Sequence, residues 1–176
     1  MQNDNIFVLI LSLEQYQNTN LLSQKICGRT MTEWAQQATA PFKTKSIMVS
    51  PEDDIITLFK DNITGAPFTV VTYVDMPLLT TQDILDAVDY CFHKNVPAVK
   101  LPRGWVFNTS LVAESETFPV TDFMAANKAN YQVAFNNTQI AKIRSMLQER
   151  INQQHIKNGV TIIDPQHTYI DADVEL

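Results

Sequence analysis

Residues 6–13, IFVLILSL, form an apolar run broken only by Ser12. A strand with one wet face alternates apolar and polar residues. This run does not alternate, which predicts a strand buried on both faces, as in a parallel sheet. The run is far too short to span a membrane. Asp4, not Lys or Arg, precedes it, so it does not resemble a signal peptide and the expected location is cytoplasmic.

Outward from this run, helical and extended patterns alternate. Residues 30–39, TMTEWAQQAT, predict a short helix with Thr30 as cap and Glu33 completing a capping box. Residues 45–50 read as a second strand. Pro51, Glu52 and Asp53 predict the start of a helix running through Phe59, with acidic groups at its positive end. Residues 68–74, FTVVTYV, are rich in β-branched side chains and predict a third strand. A helix is expected over 82–93, strands over 96–101 and 105–112, a helix over 121–130 and a strand over 131–135. Strands alternating with helices predict an α/β fold with a mainly parallel sheet flanked by helices. Ligands of such sheets bind beyond the carboxyl ends of the strands.

Composition limits the partners. The chain has 176 residues and a formal net charge of -6, so neither nucleic acid nor an anionic membrane surface is an expected partner. Hydrophobic residues make up 45% of the sequence and charged residues 18%, a globular balance. Cys27 and Cys91 are expected to be reduced thiols, because a chain this apolar needs no staple. No Cys/His cluster has zinc spacing, and His93, His155 and His167 are scattered.

Residues 136–176 read NNTQIAKIRSMLQERINQQHIKNGVTIIDPQHTYIDADVEL. Ile140, Ile143, Leu147 and Ile151 make one apolar stripe of a helix, capped by Asn137 or Thr138 and stopped at Asn158-Gly159. A short β run over 159–163 and an Asp-Pro turn follow. This order resembles the join between the two halves of bacterial bifunctional N-acetylglucosamine-1-phosphate uridyltransferases, within the sugar-1-phosphate nucleotidyltransferase superfamily. In that family the segment links a Rossmann-like nucleotide-diphospho-sugar transferase domain to a left-handed β-helix. The resemblance implies a nucleotidyltransferase-like α/β domain over 1–135, a linking helix over 136–158, and the start of a truncated β-helix over 159–176. The tail is expected to pack back on its own domain or to pair with a second chain as a homodimer.

Residues 70–80, VVTYVDMPLLT, carry a second resemblance, to the family's strand followed by Gly-Asp-x-Pro-Leu. That Asp holds the catalytic Mg²⁺, and a hard carboxylate ligand at a strand end suits the role. Asp75 matches it, and Asn136 matches the Asn that completes the metal site. Tyr73 matches an aromatic that contacts the sugar. Asn108, in Phe107-Asn-Thr-Ser110, resembles the sugar-contacting Asn of an Asn-Thr-Gly segment. The ligand implied is a sugar phosphate or nucleotide-sugar. Each residue also has a plainer reading: Asp-x-Pro forms turns, and Asn caps helices.

Other parts of the family pattern are missing. The family needs a Gly-rich, Arg-containing loop after the first strand, whose amides cradle phosphate. Here Leu11 is followed by SLEQYQNTN, without Gly or Arg, and Glu14 repels phosphate. The sugar-phosphate Lys corresponds either to Lys25 or to Leu21. The family's uracil-reading segment has no match. Catalysis is therefore expected to be lost or reduced. The alternative is a non-catalytic module that binds a sugar phosphate or a protein.

Overall fold

In the computed structural model, which describes residues 2–17, 19–112 and 117–176, the apolar run becomes β1 (Ile6–Leu13). It lies between β2 (Lys43–Val49) and β3 (Phe68–Tyr73), parallel to both. The sheet has six strands in the order β2-β1-β3-β5-β4-β6. β4 (Ala98–Lys100) and β6 (Val120–Asp122) pair in parallel with each other. β5 (Trp105–Asn108) runs antiparallel to both of its neighbours, β3 and β4.

The unbroken hydrophobicity of β1 has a direct structural cause. Ile6, Val8 and Ile10 point into one core, packed with Ile84, Ala87, Val88 and Cys91 of α3 (Thr81–Lys94) and Ala35 of α1 (Met31–Thr39). Phe7, Leu9 and Leu11 point into another, packed with Phe59 of α2 (Ile55–Asp61) and Val112 of α4 (Thr109–Val112). Phe59 and Phe107 stack there with ring centroids 4.3 Å apart. Period-two geometry sends alternate residues to opposite faces, so a strand covered on both sides must be apolar throughout.

α5 (Asn137–Lys157) packs outside α1, burying Ile140, Ile143 and Leu147 against Met31, Trp34, Ile26 and Leu78. Its cap is Asn136, ahead of Asn137 and Thr138 and in keeping with the plainer reading of Asn136: Asn136 Oδ1 accepts the Gln139 amide at 2.9 Å. The capping box at Thr30 and Glu33 forms as expected.

Four local expectations are corrected. The helix expected from Pro51 begins at Ile55, after Asp54 caps it; Asp53 instead accepts the Ser50 amide and holds a turn. The strand expected over 105–112 ends at Asn108 and continues as α4. The helix expected over 121–130 is absent, because residues 120–122 pair with β4; a 3₁₀ turn, Lys128–Tyr131, follows. Residues 132–135 form no strand. The Ala134 amide bonds the carbonyl of Asp75 at 2.8 Å instead of joining a ladder.

The tail, residues 159–176, contains no strand. It lies back on its own domain, as one of the two tail expectations had it. Gln148 donates to the Ile170 carbonyl at 2.8 Å, and buried Asn152 donates to the carbonyls of Pro165 and Thr168 at 2.8 and 2.9 Å. The Ala172 amide bonds the Cys27 carbonyl at 3.0 Å. Gly28, at φ +88, permits this approach: a Cβ there would stand 2.9 Å from the Cβ of Asp171. Both cysteines are free and buried in different places. Among the described residues no helix is long and apolar enough to cross a membrane.

Candidate functional site

β3 ends at Tyr73, and the chain turns through Val74 and Asp75 beyond the carboxyl end of the sheet. The Val74 amide still bonds the Leu11 carbonyl at 3.0 Å, so the turn is anchored to β1. Asp75 is fully buried. A buried carboxylate is costly unless paired and hydrogen-bonded, and two side chains supply those partners. Arg103 grips both oxygens, Nε to Oδ1 at 2.9 Å and Nη2 to Oδ2 at 2.5 Å. The Tyr16 hydroxyl donates to Oδ2 at 2.6 Å.

Neither partner comes from a neighbouring stretch of sequence. Tyr16 sits in the 3₁₀ turn Glu14–Tyr16 that follows β1. Arg103 sits in the tight turn between β4 and β5, closed by the Leu101 amide bonding the Gly104 carbonyl at 3.0 Å. That turn presses on β3. Gly104 has φ +115, and a Cβ there would stand 2.3 Å from the Val71 carbonyl oxygen, so only glycine fits. The guanidinium of Arg103 also lies over the Tyr73 ring, 4.2 Å from its centroid. Burial pushes the Tyr16 hydroxyl well above its usual range, and its hydrogen bond to Asp75 pushes it further. Burial raises Tyr73 too, against the opposing pull of Arg103. Both phenols are therefore neutral donors at neutral pH.

The structure brings Tyr73 and Asp75 to one end of the sheet. The backbone around Asn136 arrives beside them through the Ala134 bond to Asp75. The side-chain oxygen of Asn136 is committed to capping α5. Asn136 also lines a cavity of about 920 Å³ with Thr19, Asn20, Leu21, Ser23 and Gln24. Leu21 lines this cavity, whereas Lys25 is exposed.

Asn108 does not join this site. β5 is antiparallel, so its last residue pairs with Phe68, the first residue of β3. Phe68 and Tyr73 are the two ends of that extended strand, roughly 17 Å apart at the usual rise per residue. Asn108 instead accepts a hydrogen bond from Ser110 at 2.9 Å. The residue that β5 delivers to the Asp75 end is Arg103, just before the strand starts. Sequence reading missed Arg103 and Tyr16. Pro102 and Gly104 announce a turn, but not which end of the sheet it occupies. That depends on the direction of β5.

The donor set does not fit a magnesium ion. Mg²⁺ takes oxygen ligands in near-octahedral array. Both Asp75 oxygens already accept from Arg103, one also from Tyr16, and the Asn136 oxygen accepts from a helix amide. Among the described residues no group of three His, Cys, Asp or Glu side chains could hold a metal.

No family model matches the chain. Among curated proteins it is 49% identical over 41 residues to the bifunctional protein GlmU of Caldanaerobacter subterraneus, and 33% identical over 99 residues to that of Symbiobacterium thermophilum. Those matches cover 23% and 56% of this chain but only 9% and 18% of the relatives' lengths. Among solved structures it is similar to a molybdopterin-guanine dinucleotide biosynthesis protein A from Archaeoglobus fulgidus, with TM-score 0.60 and 11% identity, covering 81% of this chain and 99% of that one. It is also similar to the 4-diphosphocytidyl-2C-methyl-D-erythritol synthase of Anaerococcus prevotii, with TM-score 0.58 and 9% identity, covering 83% and 99%. A CMP:2-keto-3-deoxy-manno-octonic acid synthetase complexed with CTP has the same fold, with TM-score 0.59 and 10% identity, covering 82% and 99%. The solved structures show that the chain has the fold of these nucleotidyltransferases, and the partial GlmU matches show that its sequence is similar to that bifunctional protein over as many as 99 residues.

Proposed function

We propose that this protein is a nucleotidyltransferase-fold module that no longer transfers a nucleotide and keeps the scaffold for binding. One observation carries the reading: the carboxylate at the metal-holding position of the resemblance, Asp75, is engaged on both oxygens by Arg103 and on one also by Tyr16. Nucleotide transfer needs charge neutralised on the phosphates by a metal and by a cradle of backbone amides. Asp75 already meets a guanidinium on both oxygens, where a metal would otherwise stand. The segment after β1, with Glu14 and without glycine or arginine, offers no cradle.

The binding half of the proposal rests on the cavity beside the first loop. Its lining of Thr19, Asn20, Ser23, Gln24, Asn136 and Asn137, with Leu21, is polar and uncharged. Amides and hydroxyls suit the hydroxyl groups of a sugar better than the charge of a triphosphate. Tyr73 and Asp75 then act as structural neighbours of the ligand, and Asn136 as part of its wall. A cytoplasmic setting belongs to this reading, as does a homodimer formed through the tail, where Ile163 and Tyr169 are 97% and 78% exposed. Light scattering on the full chain tests the dimer.

The functional test is pyrophosphate release from UTP and N-acetylglucosamine-1-phosphate with Mg²⁺. Background release is expected, together with calorimetric binding of the sugar phosphate or of UDP-N-acetylglucosamine. Turnover that disappears in Asp75→Ala defeats the proposal.

A further inference from the structure

A salt bridge at the carboxyl end of a sheet can be a by-product of packing. Here the geometry is too complete for that. Arg103 presents two nitrogens to two oxygens of one buried carboxylate, the fork-on-fork arrangement that gives such pairs their directionality. The guanidinium is fixed from a second side by the Tyr73 ring. It is fixed from a third by the turn in which it sits, whose Gly104 touches the β3 backbone. Its side chain is 25% exposed, so the guanidinium stands at the edge of the site while the carboxylate it holds is buried.

We infer that Arg103 is a resident cation: it supplies to Asp75 the positive charge and the electrophilic contacts that a divalent ion would otherwise supply, and ligands on this face are bound without metal. This rests on the functional reading above but is separable from it. The charge balance is local. One carboxylate meets one guanidinium, and the groups facing the pair, Tyr16 and Tyr73, are neutral phenols. A divalent ion could enter only by expelling Arg103, which would lose two charge-assisted hydrogen bonds and its seat on Tyr73. Tyr16 adds a consequence for the loop. Its hydroxyl is bonded to the same Oδ2 that Arg103 holds, so the guanidinium also fixes the start of the segment that leads to the cavity wall at Thr19 and Asn20.

The experiment uses the full chain and Mn²⁺ as the probe, read by electron paramagnetic resonance, with thermal unfolding in Mg²⁺ and in EDTA alongside. Wild-type protein should bind no stoichiometric Mn²⁺ and should melt at the same temperature in both buffers. Arg103→Ala should melt about 10 °C lower and should acquire Mn²⁺ binding that Asp75→Asn removes. Arg103→Lys, which keeps a charge but not the fork, should fall between them in stability and bind no Mn²⁺; it provides the comparison if Arg103→Ala does not fold. Stoichiometric Mn²⁺ binding by the wild type that is lost in Asp75→Asn overturns the inference. So does an Arg103→Ala variant as stable as wild type in EDTA. Mn²⁺ binding without pyrophosphate release would overturn this inference alone. Release without Mn²⁺ at Asp75 would overturn only the functional reading.

Discussion

Two segments without strands or long helices are fastened to this domain by opposite chemistry. The tail, residues 159–176, is held mainly by neutral side-chain amides reaching to backbone carbonyls, Gln148 to Ile170 and Asn152 to Pro165 and Thr168, with an exposed charged contact from Arg29 to Asp173 beside them. The loop after β1 is held by an ionic cluster, Tyr16 to Asp75 to Arg103. Neutral amides fix a path and leave the charge distribution untouched. The ionic cluster fixes a path as well, but it does so by consuming the carboxylate that the family resemblance assigns to chemistry.

The contrast predicts unequal sensitivities. Asp75→Ala removes the acceptor of three hydrogen bonds and strands a partly exposed guanidinium. It should cost about 3 kcal/mol, the lower end for breaking a buried pair because Arg103 can still reach water. Urea unfolding followed by circular dichroism measures it. Asn152→Ala should cost about 2 kcal/mol, since it removes a buried side chain and leaves the half-buried Pro165 and Thr168 carbonyls without their donor. Its loss should appear as faster hydrogen exchange across 165–172 before global unfolding. Tyr16→Phe should cost about 1 kcal/mol, and should loosen the first loop while leaving the tail unchanged. Equal effects of Tyr16→Phe on both segments would erase the contrast.

The smallest expected effect is at the ion pair between Arg29 and Asp173 of the tail. Arg29 Nε bonds the Asp173 carboxylate at 2.8 Å, and that bond is the main reason the carboxyl is held below its usual range. With a folded value below the unfolded value of about 3.9, this contribution is complete above the unfolded value. It is lost as pH falls through the folded one. Protection of the Ala172 amide should therefore decline as pH falls below about 4, ahead of protection at Val70. Exchange measured by mass spectrometry across that range checks it.

Much of the fold was legible because burial on both faces leaves a direct mark. The run Ile6–Leu13, the capping box at Thr30, and the stripe of α5 each follow from residues a few positions apart. The region after residue 100 was not legible for the opposite reason. Residues 120–122 pair with β4 across a gap in sequence, and nothing local distinguishes them from the first turn of a helix. The site shows the same division. Asp75 and Tyr73 could be placed at the carboxyl end of β3 from the strand alone. Asn108 was misplaced because its position depends on β5 running backwards. Arg103 went unnoticed for that same reason, although it is the residue that holds both oxygens of Asp75.

The most direct measurement is a crystal structure of the protein grown with Mn²⁺ and UTP, with anomalous differences used to locate the metal. The expected map shows no anomalous peak at Asp75, with both Arg103 nitrogens on its oxygens and Tyr16 still bonded to Oδ2. A peak about 2.1 Å from an Asp75 oxygen, the distance of a magnesium-type ligand, with Arg103 swung away, would contradict it.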